Sequence, residues 1–268
     1  MDLPRLGQGT WNMGDAPAKR AEELATLREG IALGMTMIDT AEMYGGGRSE
    51  SLVAEAISGQ REKIFLVTKV LPSNASRKGV VRACEASLKR LKTDRVELYL
   101  LHWSGSYPLE ETVRGFEDLL AAGKIRSWGV SNLDLSEMSR LVGLRGGAAC
   151  AANQVLYNLS RRGIEFDLLP WSRERRMPVM AYTPIEQGRI LGNRALSEVA
   201  RRLGATPAQV ALAWVLRQAG VVTIPKASSV AHVRENRKAL DLTLDAESLT
   251  VLDSAFPPPK KARPLEML

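Results

Sequence analysis

The chain has 268 residues, 45% of them hydrophobic and 25% charged, with 37 basic against 30 acidic side chains and a net charge of +7. That apolar content and modest charge exclude disorder as the main state, and no stretch approaches the ~20 uninterrupted apolar residues that a membrane-spanning helix needs. Met1-Asp2-Leu3-Pro4-Arg5 lacks the apolar core of a secretory signal, and Cys84 and Cys150 alone offer no disulfide framework, so the chain reads as cytoplasmic.

Apolar periodicity switches repeatedly between short β-rich runs and longer amphipathic ones. In chain order the pattern predicts a strand near residues 6–10, a helix over 18–33, a strand over 36–39 and a helix over 50–57. A strand over 64–70, a helix over 78–91, a strand over 96–102 and a helix over 109–121 follow. The second half predicts strands over 127–130, 154–157, 178–183 and 221–225, with helices over 135–142, 195–203, 207–218 and 230–240. Gly34, Gly123 and Gly204 sit where helices should stop, while Ser136 and Thr206-Pro207 sit where they should start.

Eight strands alternating with helices predict a parallel sheet, and 268 residues over eight units leave about 33 for each, which suits a closed (β/α)₈ barrel. The rival is an open doubly wound sheet, but no strand is followed by the G-x-G-x-x-G turn of such nucleotide sites. Gly45-Gly46-Gly47 has the wrong spacing and no Lys-Ser/Thr behind it. With no linker or low-complexity tract, residues 1–268 read as one barrel domain.

His102, His232, Cys84 and Cys150 share no metal-ligand spacing, so no metal site is expected, and Cys84 reads as a small core residue. The pI near 9.6 raises the question of nucleic acid. Yet the basic residues are scattered, and the clusters at 173–176 and 260–263 neither interleave with aromatics nor stripe one helix. They read as solvated surface, and no nucleic-acid or membrane partner is expected.

In a parallel barrel, reactive side chains sit at the C-terminal ends of strands. Three successive apolar strands end in Asp39, Lys69 and His102, with Tyr44 in the loop beside the first. Any one of these could be a paired structural residue. Together at equivalent ends they suggest a tuned acid, since a free tyrosine at a pKa of about 10 is too weak a donor at neutral pH. A nearby lysine favours the phenolate, an aspartate holds that lysine charged, and a histidine orients a carbonyl or steadies a developing alkoxide. None of these side chains can donate hydride, so a cofactor must.

These residues resemble the aldo-keto reductases, from Leu6 to Asn236 and in the same order. The resemblance rests on Leu6-Gly7-Gln8-Gly9-Thr10-Trp11, Ile38-Asp39-Thr40-Ala41-Glu42-Met43-Tyr44-Gly45, Lys69 and Leu100-Leu101-His102-Trp103. It continues through Gly129-Val130-Ser131-Asn132, Asn153-Gln154 and Ile224-Pro225-Lys226. Among members, the chain looks most like short bacterial ones that reduce methylglyoxal and similar aldehydes.

The resemblance implies an NADPH-dependent carbonyl reductase, with Tyr44 as proton donor supported by Asp39, Lys69 and His102. It implies that Ser131, Asn132 and Gln154 hold the nicotinamide carboxamide, that Tyr182 stacks under the ring, and that Asp39, Thr10 and Trp11 lie along the cofactor. Thr183, Ile185 and Gly188 would meet the diphosphate. Lys226, Ser229, His232, Glu235 and Asn236 would surround the 2′-phosphate and adenine. His232 stands where many NADPH-specific members have arginine, so NADH is expected as a weaker alternative.

Trp11, Tyr44, His102 and Trp103 would form an aromatic substrate pocket for small 2-oxoaldehydes and aromatic aldehydes. Because the chain ends soon after Pro257-Pro258-Pro259-Lys260, the expectation is a short C-terminal wall and an open site. Two other functions fit parts of the pattern: a Schiff-base aldolase built on Lys69, and a cofactor sensor that turns over slowly with a partner. No apolar heptad or strand edge calls for a second subunit, so a monomer is expected.

Overall fold

In a computed structural model of the protein, which describes residues 3–268, eight short strands form one sheet in which every neighbouring pair is parallel and the spatial order is the sequence order. They are β1 (Gly7–Gly9), β2 (Met37–Asp39), β3 (Phe65–Val70), β4 (Val96–Leu101), β5 (Ile125–Ser131), β6 (Asn153–Leu156), β7 (Val179–Tyr182) and β8 (Val221–Thr223). The sheet closes on itself through a parallel bridge between Leu6 and Thr223, with Thr223 N donating to Arg5 O at 3.0 Å and Gly9 N to Pro225 O at 3.1 Å. A closed (β/α)₈ barrel results.

Closure depends on glycine in β1. A Cβ on Gly9 would lie 2.7 Å from the Ile224 carbonyl oxygen, so a side chain there would wedge the first strand away from the last. Burial on both faces explains why β3 (FLVTKV) and β4 (VELYLL) read as near-continuous apolar runs. Alternate residues of each strand face opposite ways. Met37, Val67, Leu98, Leu100 and Met180 fill the barrel interior, while Ile38, Leu66, Tyr99 and Leu101 pack outward under the helices. Leu3 and Phe65 pack against that interior layer at the end where the strands begin.

The helices are α1 (Arg20–Ala32), α2 (Arg48–Ala56), α3 (Arg77–Leu91), α4 (Leu109–Ala121), α5 (Leu135–Gly143), α6 (Leu168–Glu174), α7 (Arg194–Arg202), α8 (Pro207–Leu216), α9 (Val230–Lys238) and α10 (Ala246–Ala255). Gly34, Gly123 and Gly204 adopt positive φ after their helices, as their positions suggest. Thr206 caps α8 in a reciprocal box with Gln209. The start of α5 differs from expectation: Asp134, not Ser136, is the cap, because its carboxylate reaches the amide of Glu137 while Glu137 reaches back. Cys84 is fully buried on the barrel-facing side of α3, and burial pushes its thiol up to about 12.

Helices α6 and α10 are absent from the sequence expectation. The first is only seven residues long with Pro170 inside it, and the second starts from the Asp245 cap. After α10 the chain does not stop at the rim. Arg162, only 7% exposed, ties Glu165, Asp253 and the Phe256 carbonyl together, and the tail beyond runs back to the mouth of the barrel. No helix among the described residues is long and apolar enough to cross a membrane.

Candidate active site

Strand parity aims the chemistry inward. Asp39 shares the inward face of β2 with Met37, Lys69 shares that of β3 with Val67, and His102 follows Leu98 and Leu100 past the end of β4. All three therefore project into the same end of the barrel. Lys69 has no solvent exposure, and its ammonium donates to Asp39 Oδ1 at 2.7 Å, to the Thr40 carbonyl at 2.8 Å and to the Tyr44 hydroxyl at 3.3 Å. Those three acceptors use all three N–H bonds.

Burial alone would discharge Lys69, but the Asp39 carboxylate and the Tyr44 hydroxyl outweigh it and hold its pKa above the ordinary value. A Schiff-base role needs a free, neutral amine, so this environment rules against the aldolase alternative. The Tyr44 phenol moves up, not down. Burial is the largest influence, Lys69 opposes it, and Asp39 reinforces it. The sequence expectation counted only the lysine, which does favour phenolate. The structure adds that the phenol keeps its proton at neutral pH, as a donor must.

His102 lies edge-on to Tyr44, with ring centres 5.9 Å apart, and against Trp103 at 4.8 Å. Burial, with Lys69 adding to it, pushes its pKa down to about 2, so the imidazole is neutral. Its Nδ1 is buried without a hydrogen-bond partner among the described residues. Trp11, 47% exposed, and the half-buried Trp103 come from the loops after β1 and β4.

The expected nicotinamide contacts form one linked set. Gln154 donates to Asp39 Oδ2 at 2.8 Å across the barrel, and Ser131 donates to the Gln154 carbonyl at 2.8 Å. Asn132, at φ 59°, donates to the His102 carbonyl and the Ser131 hydroxyl and accepts from the Tyr182 hydroxyl at 3.0 Å. Burial raises the Tyr182 phenol to about 12. Thr10 is fully buried, its hydroxyl donating to the Asp39 carbonyl and accepting from Ser49.

Past β7, Thr183, Glu186, Gln187 and Gly188 all take positive φ, with Ile185 half-buried between them, making a tight turn at the rim. Beyond β8, the exposed Lys226 ammonium touches only the Ser228 hydroxyl and has no carboxylate partner among the described residues. Ser229 caps α9 through the His232 amide, leaving the His232 ring exposed. Asn236 is buried, whereas the Glu235 carboxylate accepts from the Thr206 hydroxyl and is thereby committed to the start of α8.

Several residues that hold this site escaped sequence reasoning. Glu42 accepts from the Leu71 amide at 2.7 Å and from Asn74 at 3.0 Å, tying the Tyr44 loop to the loop after β3. Buried Glu186 accepts from Asn158 at 2.8 Å, from Arg161 at 3.0 Å and from Arg189 at 3.0 Å. Those donors overcome burial and hold its pKa below the usual carboxylate value. Arg161 also pairs with Glu266 of the tail at 2.5 Å. Acidic residues inside otherwise apolar or turn-rich segments were the available signal.

The tail returns to the mouth of the barrel. Leu268 N donates to the Tyr182 hydroxyl at 3.4 Å, and residues 263–266 wall a cleft of about 370 Å³ with Leu156, Arg161 and Leu168. None of Asp39, Tyr44, Lys69 and His102 lines that cleft. Among the described residues, no group of three or more His, Cys, Asp or Glu side chains could hold a metal ion.

Residues 5–256 match the model of the Aldo/keto reductase family. This chain belongs to that family. Among its aldo/keto reductase relatives, the methylglyoxal reductase YeaE of Escherichia coli K12 is 53% identical, over all of this chain and 96% of that protein. The glyoxal reductase of Bacillus subtilis is 30% identical over 95% of this chain and 89% of its own length. An aldo/keto reductase from Klebsiella pneumoniae, solved in complex with NADP and acetate, superposes with a TM-score of 0.98 at 49% identity. That superposition covers 99% of this chain and 96% of the other.

Proposed function

We propose that this aldo/keto reductase is an NADPH-dependent carbonyl reductase acting on small 2-oxoaldehydes such as methylglyoxal and on aromatic aldehydes, with Tyr44 as its proton donor. The observation that carries the reading is the Tyr44 hydroxyl 3.3 Å from a fully buried lysine whose charge Asp39 secures at 2.7 Å. The methylglyoxal reductase relative and the NADP complex of the Klebsiella protein support the same chemistry.

NADPH, when bound, supplies the hydride. The protein's part is to orient the carbonyl and deliver the proton. Neutral His102 offers a ring N–H to the carbonyl oxygen without placing a second cation beside Lys69. Tyr44 passes its hydroxyl proton to that oxygen as negative charge develops, and the Lys69 ammonium stabilises the phenolate left behind. Asp39 keeps the ammonium charged and Gln154 keeps Asp39 in place. Trp11 and Trp103 wall the substrate side.

The residues present suit the cofactor. Lys226 is a cation without a carboxylate partner among the described residues, as a phosphate site requires, and Ser229, His232 and Asn236 adjoin it in sequence. Ser131, Asn132 and Gln154 would hold the carboxamide over Tyr182, with Thr10 and Trp11 nearby and the turn holding Thr183, Ile185 and Gly188 at the diphosphate. Glu235 is a weaker candidate for contact than the sequence suggested, because Thr206 already occupies it. His232 in place of a second cation leaves NADH as a poorer alternative.

The proposal extends to one domain over residues 1–268, acting as a cytoplasmic monomer without nucleic acid or membrane partners. Surface arginines such as Arg20, Arg77 and Arg202 are paired with carboxylates, which argues against a basic binding face. The test is NADPH consumption with methylglyoxal by the wild type and by Tyr44→Phe. The variant should bind NADPH and fail to turn over. Turnover surviving in Tyr44→Phe would refute the donor assignment.

A further inference from the structure

The turn that carries Tyr44 is built from residues that restrain little. Gly45, Gly46 and Gly47 have φ of 58°, 61° and 91°, and a Cβ on Gly46 would meet nothing within 4 Å. Three successive left-handed glycines have large conformational freedom to lose, so something outside the turn must fix the tyrosine that precedes them.

Two ionic contacts flank the turn. On one side Arg48 pairs with Asp15 at 2.8 Å, but both side chains are well exposed, and such pairs contribute little. On the other side stands Glu50, in the first turn of α2 and with no solvent exposure. Its Oε1 accepts from the Thr68 hydroxyl at 2.7 Å, and its Oε2 accepts from Arg90 Nε at 2.5 Å. Arg90, near the end of α3, also donates to the Ser87 hydroxyl at 3.0 Å. Its side chain lies directly against the bare Cα of Gly47, where a Cβ would fall 2.4 Å from Arg90 Cδ.

Thr68 is the neighbour of Lys69 in β3. Lys69 faces the barrel interior and Thr68 faces out, so Glu50 and Asp39 grip the same stretch of strand from opposite sides. The Thr68–Glu50–Arg90 chain thereby joins β3, α2 and α3 at the point where the Tyr44 turn ends. Removing Thr68 or Arg90 leaves the buried Glu50 carboxylate short of partners, and the structure must shift to compensate.

We propose that Glu50, Thr68 and Arg90 form a positioning clamp that sets the distance between the Tyr44 hydroxyl and the Lys69 ammonium, and so governs kcat rather than substrate or cofactor binding. This rests on the reading of Tyr44 as proton donor. None of the three touches the reacting atoms, so they act through the placement of Tyr44. A misplacement of about 1 Å at a reacting group can cost on the order of 100-fold in rate.

The test compares Arg90→Met, Arg90→Lys and Thr68→Val with the wild type and Tyr44→Phe. Readouts are kcat and KM for methylglyoxal, the Kd for NADPH from fluorescence, and ultraviolet titration of the Tyr44 phenol in cofactor-free protein, with Tyr44→Phe as the blank. Arg90→Met and Thr68→Val should lower kcat by about 10- to 100-fold while KM and Kd stay within about twofold. The Tyr44 titration should move to higher pH as Lys69 recedes, and Arg90→Lys should recover much of kcat. Should Arg90→Met fail to fold, the near-isosteric Thr68→Val carries the same test. Folded Arg90→Met and Thr68→Val with unaltered kcat, or losses that follow KM and Kd, overturn the clamp. If Tyr44→Phe is inactive while both clamp variants are normal, the donor reading stands and only the clamp falls. If Tyr44→Phe turns over, the donor reading falls and the clamp with it.

Discussion

Replacing Lys69 with methionine would separate the stability of the buried pair from its catalytic use. The ammonium has no exposure, and Asp39, 3% exposed, would keep only the Gln154 amide as a side-chain partner. Stranding a buried charge by deleting its partner costs about 3–5 kcal/mol. At about 2–4 °C per kcal/mol for chains of this order of size, Lys69→Met should lower the unfolding midpoint by roughly 6–20 °C. Adding Asp39→Asn removes the stranded charge while leaving an acceptor for Gln154. The double variant should regain most of the loss. Its NADPH-dependent turnover should remain as low as that of Lys69→Met, since Tyr44 still lacks the ammonium. Thermal unfolding by circular dichroism and NADPH consumption measured in parallel provide both readings. A single variant that shifts by less than about 2 °C, or a double variant less stable than the single, would refute the account of a buried, mutually dependent pair.

Because His102 is held down to about 2 and the Tyr44 phenol lies above its ordinary value, the rate of carbonyl reduction should be flat through the usual histidine range. It should decline only on the alkaline side, as Tyr44 loses its proton above pH ~10; an inflection near pH ~6.5 would mean that His102 titrates. Lys226→Met should raise KM for NADPH about tenfold or more while leaving KM for NADH within about twofold, and equal losses would remove Lys226 from the phosphate. Gly30→Ala should destabilise by about 1–3 kcal/mol in urea despite the better helix propensity of alanine. Its Cβ would fall 2.1 Å from Gln8 Oε1 and dislodge the side chain that bonds the Leu27 and Met35 carbonyls. A stabilised variant would show that Gln8 yields freely.

The barrel was legible because its strands are buried on both faces, which leaves runs such as VELYLL with few alternatives. The cluster of Asp39, Tyr44, Lys69 and His102 was legible for a related reason. A charged residue closing an apolar strand is costly unless it has a partner, and Asp39, Lys69 and His102 close three strands in succession. What stayed hidden depends on pairings remote in sequence. Glu186 and Glu266 are joined only by Arg161, and Glu50 meets Thr68 and Arg90 only after α2 and α3 dock. The net direction of the Tyr44 shift was hidden too, since residue identity reveals the lysine and not the depth of burial that outweighs it. The tail carries no periodicity, and its return to Tyr182 follows from anchors at Arg162 and Arg161 that no local pattern announces.

That returning tail makes the two ends of the chain unequal as attachment points. Leu3 packs where the strands begin, at the far end of the barrel from Tyr44. Leu268 sits on the Tyr182 hydroxyl, and anything joined after it begins on the working face, beside the ion pair that holds Glu266 to Arg161. A histidine tag placed there would add bulk and titrating charge at the very rim that substrate and cofactor must cross. The apparent substrate range of the enzyme would then depend on which end carried the tag.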